Sequence, residues 1–175
     1  MTHYIAFLRA INVGGRTVKM DELKKHFAMP GFKNVATYIQ SGNVIFDHAD
    51  SDVAAIAAKV EAKLLKTLGY EVKTFIRMIP ELETIVNNCP FKNVAEDMGL
   101  HVSFLSAKPD AAAVKELMAF QNEQEHFAVG DREAYILVKK GAYGETKFSN
   151  TFLEKKLKVA ATTRNWATVN KMMGM

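Results

Sequence analysis

The residues best suited to chemistry in this sequence are polar and basic, and they follow the first predicted strand. Gly14 and Gly15 form a flexible turn between that strand and a helix, a position where backbone N–H groups often hold phosphate. Arg9, Arg16 and Lys19 would add positive charge around an anion bound there. The glycine spacing matches neither the P-loop nor the dinucleotide-binding fingerprint. Two interpretations of this segment therefore remain, an anion-binding site and a plain flexible loop.

A second polar segment is the turn Ser41-Gly42-Asn43, which follows Gln40 and joins two predicted strands as a hairpin. Ser41 lacks the surrounding Gly-x-Ser-x-Gly elbow that presents a serine nucleophile in α/β-hydrolases. We therefore interpret Ser41 as a residue of the turn. The amide groups of Gln40 and Asn43 could face a ligand.

The third polar segment, residues 162–168, surrounds the only tryptophan with hydrogen-bonding residues. Thr163 is predicted to cap a last helix, with Trp166 as an anchor in the core. Arg164 and Asn165 would then lie in the first turn of that helix, from which they could instead face a ligand.

Metal and cysteine chemistry have little support. Cys89 is the single cysteine, so no internal disulfide can form, and we interpret it as a small apolar residue rather than a nucleophile. The five histidines include no pair at helical ligand spacing, so we predict no metal site and no cofactor. His26 and His48 are expected to face solvent, and His101 and His126 to be satisfied residues in or beside strands.

The composition describes a globular protein with unevenly distributed charge. The chain has 175 residues, of which 49% are hydrophobic and 24% charged, values that disfavour collagen, long disorder and membrane proteins. The net charge is +4, but residues 1–47 carry +3, residues 48–138 carry −5 and residues 139–175 carry +6. We expect the two basic ends to share one face that carries any functional site. Without a secretory signal or a bilayer-length apolar run, we expect a cytoplasmic protein.

Hydrophobic periodicity predicts an α+β fold of two tandem ferredoxin-like β-α-β-β-α-β units, with an extra linking helix and a C-terminal helix. The predicted strands are 3–9, 34–40, 44–46, 71–77, 100–106, 125–129, 134–138 and 159–162. The predicted helices are 20–28, 52–68, 80–87, one starting at 109, 151–158 and 164–172. Thr151 and Glu154 are predicted to form a capping box at the start of helix 151–158. Residues 141–147 are predicted to form a loop. The expected divisions are 1–78, the linking segment 79–98, and 99–175, packed as one compact body.

Three segments of the chain together resemble one protein family. They are Arg9-Ala10-Ile11-Asn12-Val13-Gly14-Gly15, Thr37-Tyr38-Ile39-Gln40-Ser41-Gly42-Asn43-Val44 and Thr163-Arg164-Asn165-Trp166-Ala167-Thr168. The family they resemble is the bacterial domain of unknown function 1697. Its first motif reads Leu-Arg-Gly-Ile-Asn-Val-Gly-Gly, so Ala10 stands where the family has glycine. The resemblance implies a cytoplasmic α+β protein of ferredoxin-like repeats and implies no activity.

We expect the three segments to converge around a small polar pocket. The candidate ligand-binding residues are Arg9, Asn12, Gly14, Gly15, Arg16, Gln40, Ser41, Asn43, Arg164, Asn165 and Trp166. Amide and guanidinium groups are donors suited to phosphate, carboxylate or a nucleobase edge. The favoured interpretation is a small cytoplasmic binding protein for an anionic small molecule or nucleic acid, without a membrane partner. An enzyme of unknown class using the same pocket and a protein-interaction module are the alternatives; no catalytic residue and no oligomeric state are predicted.

Overall fold

Two four-stranded antiparallel sheets carry the architecture of the chain. The computed structural model describes residues 1–142 and 144–175, so Tyr143, inside the predicted loop 141–147, lies outside the described residues. The first unit consists of β1 (Thr2–Leu8), α1 (Met20–Phe27), β2 (Lys33–Tyr38), β3 (Asn43–His48), α2 (Val53–Leu68) and β4 (Thr74–Met78). The second consists of β5 (Met98–Leu105), α4 (Ala111–Met118), β6 (Glu125–Val129), β7 (Glu133–Lys139), α5 (Asn150–Leu157) and β8 (Ala161–Asn165).

The linking helix α3 (Ile79–Asn87) and the C-terminal helix α6 (Trp166–Met173) complete the element order. The strand order is β2-β3-β1-β4 in one sheet and β6-β7-β5-β8 in the other. This is the arrangement of the split βαβ motif in both halves, so the predicted α+β fold of tandem units is confirmed. The chain divides into two compact units, one of residues 1–83 with Met175 and the other of residues 84–174.

In the first unit, α2 shows how local sequence positions the core. Asp52 begins the helix, since its carboxylate accepts a 3.0 Å hydrogen bond from the backbone N–H of Ala55. Ile56, Val60 and Leu64 recur every four residues and are buried. They belong to the core that covers one face of the sheet. In the second unit α4 and α5 cover the sheet in the same way, through residues such as Leu117 and Leu153.

The two units repeat individual contacts as well as element order. Glu61 on α2 accepts a 2.8 Å hydrogen bond from the N–H of Thr74, the first residue of edge strand β4. Glu154 on α5 accepts a 3.0 Å bond from the N–H of Ala161, the first residue of edge strand β8. Each unit thus caps the start of its last strand with a helix glutamate, which satisfies an edge donor that would otherwise be unpaired.

A buried arginine occupies the same place in both sheets. Arg77 on β4 lies opposite Ile5 of β1, and Arg164 on β8 lies opposite Val102 of β5. Each guanidinium donates a 2.9 Å hydrogen bond from Nη1 to the carbonyl of the residue before it. These shared contacts align the units residue by residue, although their sequences show no clear identity.

Two predicted helix starts were wrong. Ser149, not Thr151, caps α5, because its hydroxyl accepts a 3.0 Å bond from the N–H of Phe152. Asn165, not Thr163, caps α6, because its side chain accepts a 2.8 Å bond from the N–H of Thr168. In both cases several polar residues stood near the helix start, and the register of the preceding chain selected one.

The predicted exposure of His48 was also wrong. It is 5% exposed, its ring lies 4.9 Å from that of Phe32, and its Nδ1 accepts a bond from the N–H of Asp50. Cys89 is buried, and this burial raises the pKa of its thiol, which disfavours a thiolate nucleophile. No helix in the described part of the chain is long and apolar enough to span a membrane.

Candidate functional site

Two of the predicted polar segments lie against each other in the first unit. The loop of residues 9–19 after β1 and the turn of residues 39–42 between β2 and β3 are called the turn pair below. Asn12 joins them: its Nδ2 donates to the carbonyls of Gln40 (2.7 Å) and Val18 (3.3 Å), and its Oδ1 accepts from the N–H of Val18 (2.6 Å). The amide of Asn12 therefore positions backbone.

On the hairpin side of the turn pair, the backbone geometry depends on Gly42 and Asn43. Gly42 has φ of +80°, and a Cβ added there would lie 2.7 Å from the Ile11 side chain, so only glycine permits this close approach. Asn43 is buried and donates from Nδ2 to the carbonyl of Tyr38 and to the hydroxyl of Ser41, both at 2.9 Å. Like Asn12, Asn43 therefore holds the backbone of the site in position and does not face a ligand.

The outer surface of the turn pair presents the groups that could bind an anion. Gly14 and Gly15 are exposed with φ of +63° and +80°, and nothing lies within 4 Å of a Cβ built on either. The guanidinium of Arg16 stacks 4.1 Å above the ring of Tyr70, whose hydroxyl donates to the carbonyl of Ile11. Gln40 and Ser41 are exposed and Arg9 is partly buried.

Two residues of the turn pair have strained backbones. Ala10 has φ of +55° and Ile39 has φ of +47°. The left-handed region is uncommon for any residue other than glycine, and for a β-branched side chain such as isoleucine it is an outlier. Ile39 is also 44% exposed, so burial does not account for its strain.

The remaining predicted residues lie in the second unit. Arg164 is 6% exposed in β8, not in a helical turn, and Nη1 donates to Thr162 Oγ1 at 3.0 Å. Burial lowers the pKa of its guanidinium to about 10. Asn165 caps α6, and Trp166 is the first residue of that helix. The convergence of these residues with the turn pair, and the shared basic face, stay predictions.

The second unit also holds a pocket that the sequence did not reveal. It has a volume of about 470 Å³. The described residues that line it include Gly99, His101, Lys139, Lys140, Phe148 and Asn165. Asn165 is the single member of the predicted set. The signal available in the sequence was the lysine pair at the end of a strand beside a glycine-containing loop.

One carboxyl of the first unit, that of Asp47, has a lowered pKa and lies far from Arg9. The pKa of the Asp47 carboxyl is lowered by hydrogen bonds from Asn34 and then from His3, both at 2.6 Å. Asp47 pairs with His3 near the start of β1, whereas Arg9 follows its end, about 20 Å away along an extended strand. Among the described residues no group of three or more His, Cys, Asp or Glu could hold a metal ion.

The chain matches the protein family that its three polar segments resemble. The family described as "Protein of unknown function (DUF1697)" matches residues 1–135. The chain belongs to this family. The matched part of the DUF1697 chain contains the whole turn pair, while Arg164, Asn165 and Trp166 lie beyond it.

A solved structure shares the fold of this DUF1697 protein. It is the conserved bacterial protein SP0830 from Streptococcus pneumoniae, with a TM-score of 0.70 and 23% sequence identity, over 99% of this chain and 97% of the other. No curated protein matches the chain. The neighbour establishes the fold, and the description of the family states no activity. In this chain Ala10, at the position where the family motif has glycine, is one of the two strained residues of the turn pair.

Proposed function

We propose that this protein binds a small anionic molecule at the turn pair. The observation that carries the proposal is the strain at Ala10 and Ile39, one in each of two segments held together by Asn12. A left-handed backbone at such a residue costs roughly 1–2 kcal/mol. Strain of this kind persists where surrounding contacts enforce it, and it concentrates at binding sites.

The donors on this surface have the chemistry of an anion site. The backbone N–H groups of Gly14 and Gly15 make no hydrogen bond within the described part of the chain. The guanidinium of Arg16 is held beside them on Tyr70. Backbone N–H groups and a guanidinium bind phosphate or carboxylate oxygens through charge-assisted hydrogen bonds.

The test is an NMR titration of the 15N-labelled full chain with inorganic pyrophosphate and with citrate. We expect saturable shifts of the Gly14, Gly15 and Arg16 amides, lost in Arg16→Gln. The matched control Lys24→Gln, an exposed lysine on α1 of the same unit, removes the same charge and should bind as the wild type. If neither anion moves these amides at about 10 mM, a range that detects millimolar Kd, the proposal is wrong.

Nucleic acid is the alternative ligand at the same surface. Binding to a polyanion through basic side chains weakens steeply with salt because counterions are released. A single-stranded oligonucleotide whose affinity for the turn pair exceeds that of pyrophosphate and falls steeply between 50 and about 200 mM salt would favour nucleic acid over a small anion.

A protein-interaction module is less well supported. Val13 is 55% exposed and Ile39 is 44% exposed, both in the turn pair. Two half-exposed aliphatic side chains fall short of the several hundred Å² of contiguous apolar surface that marks a protein docking site. They fit the rim of a ligand site better than a docking patch.

The location and the domain arrangement belong to the same proposal. A single, buried Cys89 is typical of a reducing compartment, which supports the cytoplasm. We also propose the divisions 1–78, 79–98 and 99–175 as parts of one body, since no long polar linker separates them in the sequence.

A further inference from the structure

The pocket in the second unit exists because that unit lacks elements that fill the same space in the first. The glutamates that cap β4 and β8, Glu61 and Glu154, occupy corresponding helix positions. With these aligned, the first residue of α5, Asn150, corresponds to Ala57. Residues 53–56 of α2, about one helical turn, therefore have no counterpart in α5.

The sheet beneath this missing turn also differs. The strand registers place Tyr4 of the first sheet where His101 lies in the second. Tyr4 is fully buried, stacks at 5.7 Å on Phe46, and donates from its hydroxyl to the carbonyl of Asp50. In the second unit the smaller imidazole of His101 and the absent side chain of Gly99 leave that volume open.

One wall of the pocket is aromatic and carries a buried polar atom. The rings of His101 and Phe148 lie 5.8 Å apart and tilted by 42°. Nδ1 of His101 is buried, and the imidazole lies beside the backbone of Gly99. Burial lowers the pKa of His101, which keeps the imidazole neutral at pH 7. The neutral ring therefore adds to the aromatic surface on which a planar ligand could stack.

The position of Phe148 is fixed by a buried carboxylate. Glu125 on β6 is fully buried and accepts hydrogen bonds from the backbone N–H of Lys147, at 2.8 and 2.9 Å, and from that of Phe148, at 3.1 Å. The aromatic wall is therefore built into the fold and does not depend on a ligand to form.

The rim of the pocket is positive. Of the described residues that line it, Lys139 and Lys140 are the charged ones, and none is acidic. The ammonium of Lys140 is oriented by a 2.8 Å hydrogen bond to the carbonyl of Glu96. Asn165 lines the pocket and uses its Oδ1 to cap α6, so its Nδ2 remains available as a donor.

We propose that this pocket binds a mononucleotide. The base would stack on Phe148 and His101, as bases do on aromatic and histidine rings. The side-chain amide of Asn165 would hydrogen-bond the base edge, and Lys140 would hold the 5′-phosphate. The volume of about 470 Å³ lies within the range of small-molecule sites. This site lies apart from the turn pair and does not rest on the function proposed there.

The test is a titration of the full chain with the four ribonucleoside 5′-monophosphates, followed by amide NMR shifts and calorimetry. At least one should shift the amides of Gly99, Lys140 and Phe148 with one-to-one stoichiometry. The matching nucleoside lacks the phosphate, and ribose 5-phosphate lacks the base; each should bind at least roughly ten-fold more weakly. Shifts at the turn pair alone would support the other site and overturn this one.

Variants assign the contacts. Lys140→Gln, which changes an exposed residue, should weaken mononucleotide binding about five-fold to ten-fold. The matched control Lys115→Gln, on α4 of the same unit, should leave it unchanged. Phe148→Leu should remove the preference for the nucleotide over ribose 5-phosphate. If no mononucleotide binds at about 5 mM, or if a single-stranded hexanucleotide binds far more tightly than any of them, the mononucleotide assignment is wrong.

Discussion

Asn12 belongs to the predicted ligand-binding set, yet its side chain is committed to the fold. Both Nδ2 hydrogens are donated to backbone carbonyls, and Oδ1 accepts from Val18. The residue holds the loop against the hairpin, so its effect on a ligand acts through the position of Arg16 and the glycines. A residue type suited to recognition can therefore be needed for backbone geometry instead.

The strain at Ala10 gives a first prediction. Ala10→Gly removes the Cβ from a left-handed backbone, which should raise the free energy of unfolding by about 1 kcal/mol despite the extra entropy of unfolded glycine. Urea denaturation measures the change. The matched control is Ala58→Gly, at an exposed position inside helix α2, which should lower the free energy of unfolding by about 1 kcal/mol. Equal losses in both variants would show that Ala10 is not strained.

The carboxyl of Asp47 gives a prediction about acid stability. Its pKa is lowered in the folded state, chiefly by Asn34 and then by His3. It therefore contributes stability above its unfolded pKa, and this is lost as the pH falls through the folded pKa. Because the group is at the surface, the effect should be small.

We expect Asp47→Asn to lose less stability than the wild type between pH 7 and pH 3, as measured by urea denaturation at the two pH values. Asp97→Asn is the control, since no side-chain hydrogen bond of Asp97 occurs in the described part of the chain. An acid loss that matches the wild type in both variants would exclude a special role for Asp47.

At the scale of elements, helix boundaries follow the cap that the preceding chain can reach. Before α5, Ser149 has extended backbone angles and its hydroxyl reaches Phe152, while Thr151 is already inside the helix. The expected pairing of Thr151 with Glu154 fails for a second reason, since Glu154 is used to cap the start of β8. A contact between the helix and the strand that follows it thus overrides a signature within the helix.

Ser149→Ala should therefore lower the free energy of unfolding by about 1 kcal/mol, because the N–H of Phe152 loses its acceptor. Thr151→Ala, two residues later on the exposed side of the same helix, should change it by less than about 0.5 kcal/mol. Chemical denaturation of the two variants compares them directly. The reverse order would restore Thr151 as the cap.

At the scale of the whole molecule, the three segments of the proposed polar site belong to two compact units. Residues 1–47 carry +3 and residues 139–175 carry +6, and we expect these basic ends to share a face. A small ligand contacted from both units requires the segments to lie within roughly 15 Å of one another. That distance is about the length of four extended residues, at about 3.5 Å each.

Spin labels test this directly. With Cys89→Ser removing the native thiol, labels at Ser41 and Ala167, both exposed, should give a pulsed-EPR distance distribution centred below about 25 Å once the label arms are included. A label pair at Ser41 and Lys33, inside one unit, calibrates the measurement. A centre beyond roughly 40 Å would rule out a single shared pocket, while leaving the turn pair and the mononucleotide pocket to their own tests.

The order of elements was determined by the sequence alone, because strands and helices were specified by local alternation, periodicity and breakers. Gly69 ends α2 at a φ of +81°, as its place after an amphipathic run predicts. The contact between the loop after β1 and the hairpin follows from motifs visible in the sequence, but its geometry depends on Gly42 and Asn12 meeting residues about 30 positions away.

Only the tertiary structure decided which polar residues face inward. Arg164 and His48 are polar types expected at the surface, yet the strand alternation and the packing of each sheet bury them. The pocket around His101 is likewise invisible in sequence, because it arises where α5 lacks the N-terminal turn of its counterpart, over a smaller side chain. Such a cavity depends on distances between elements, and those distances are set by packing rather than by any local pattern.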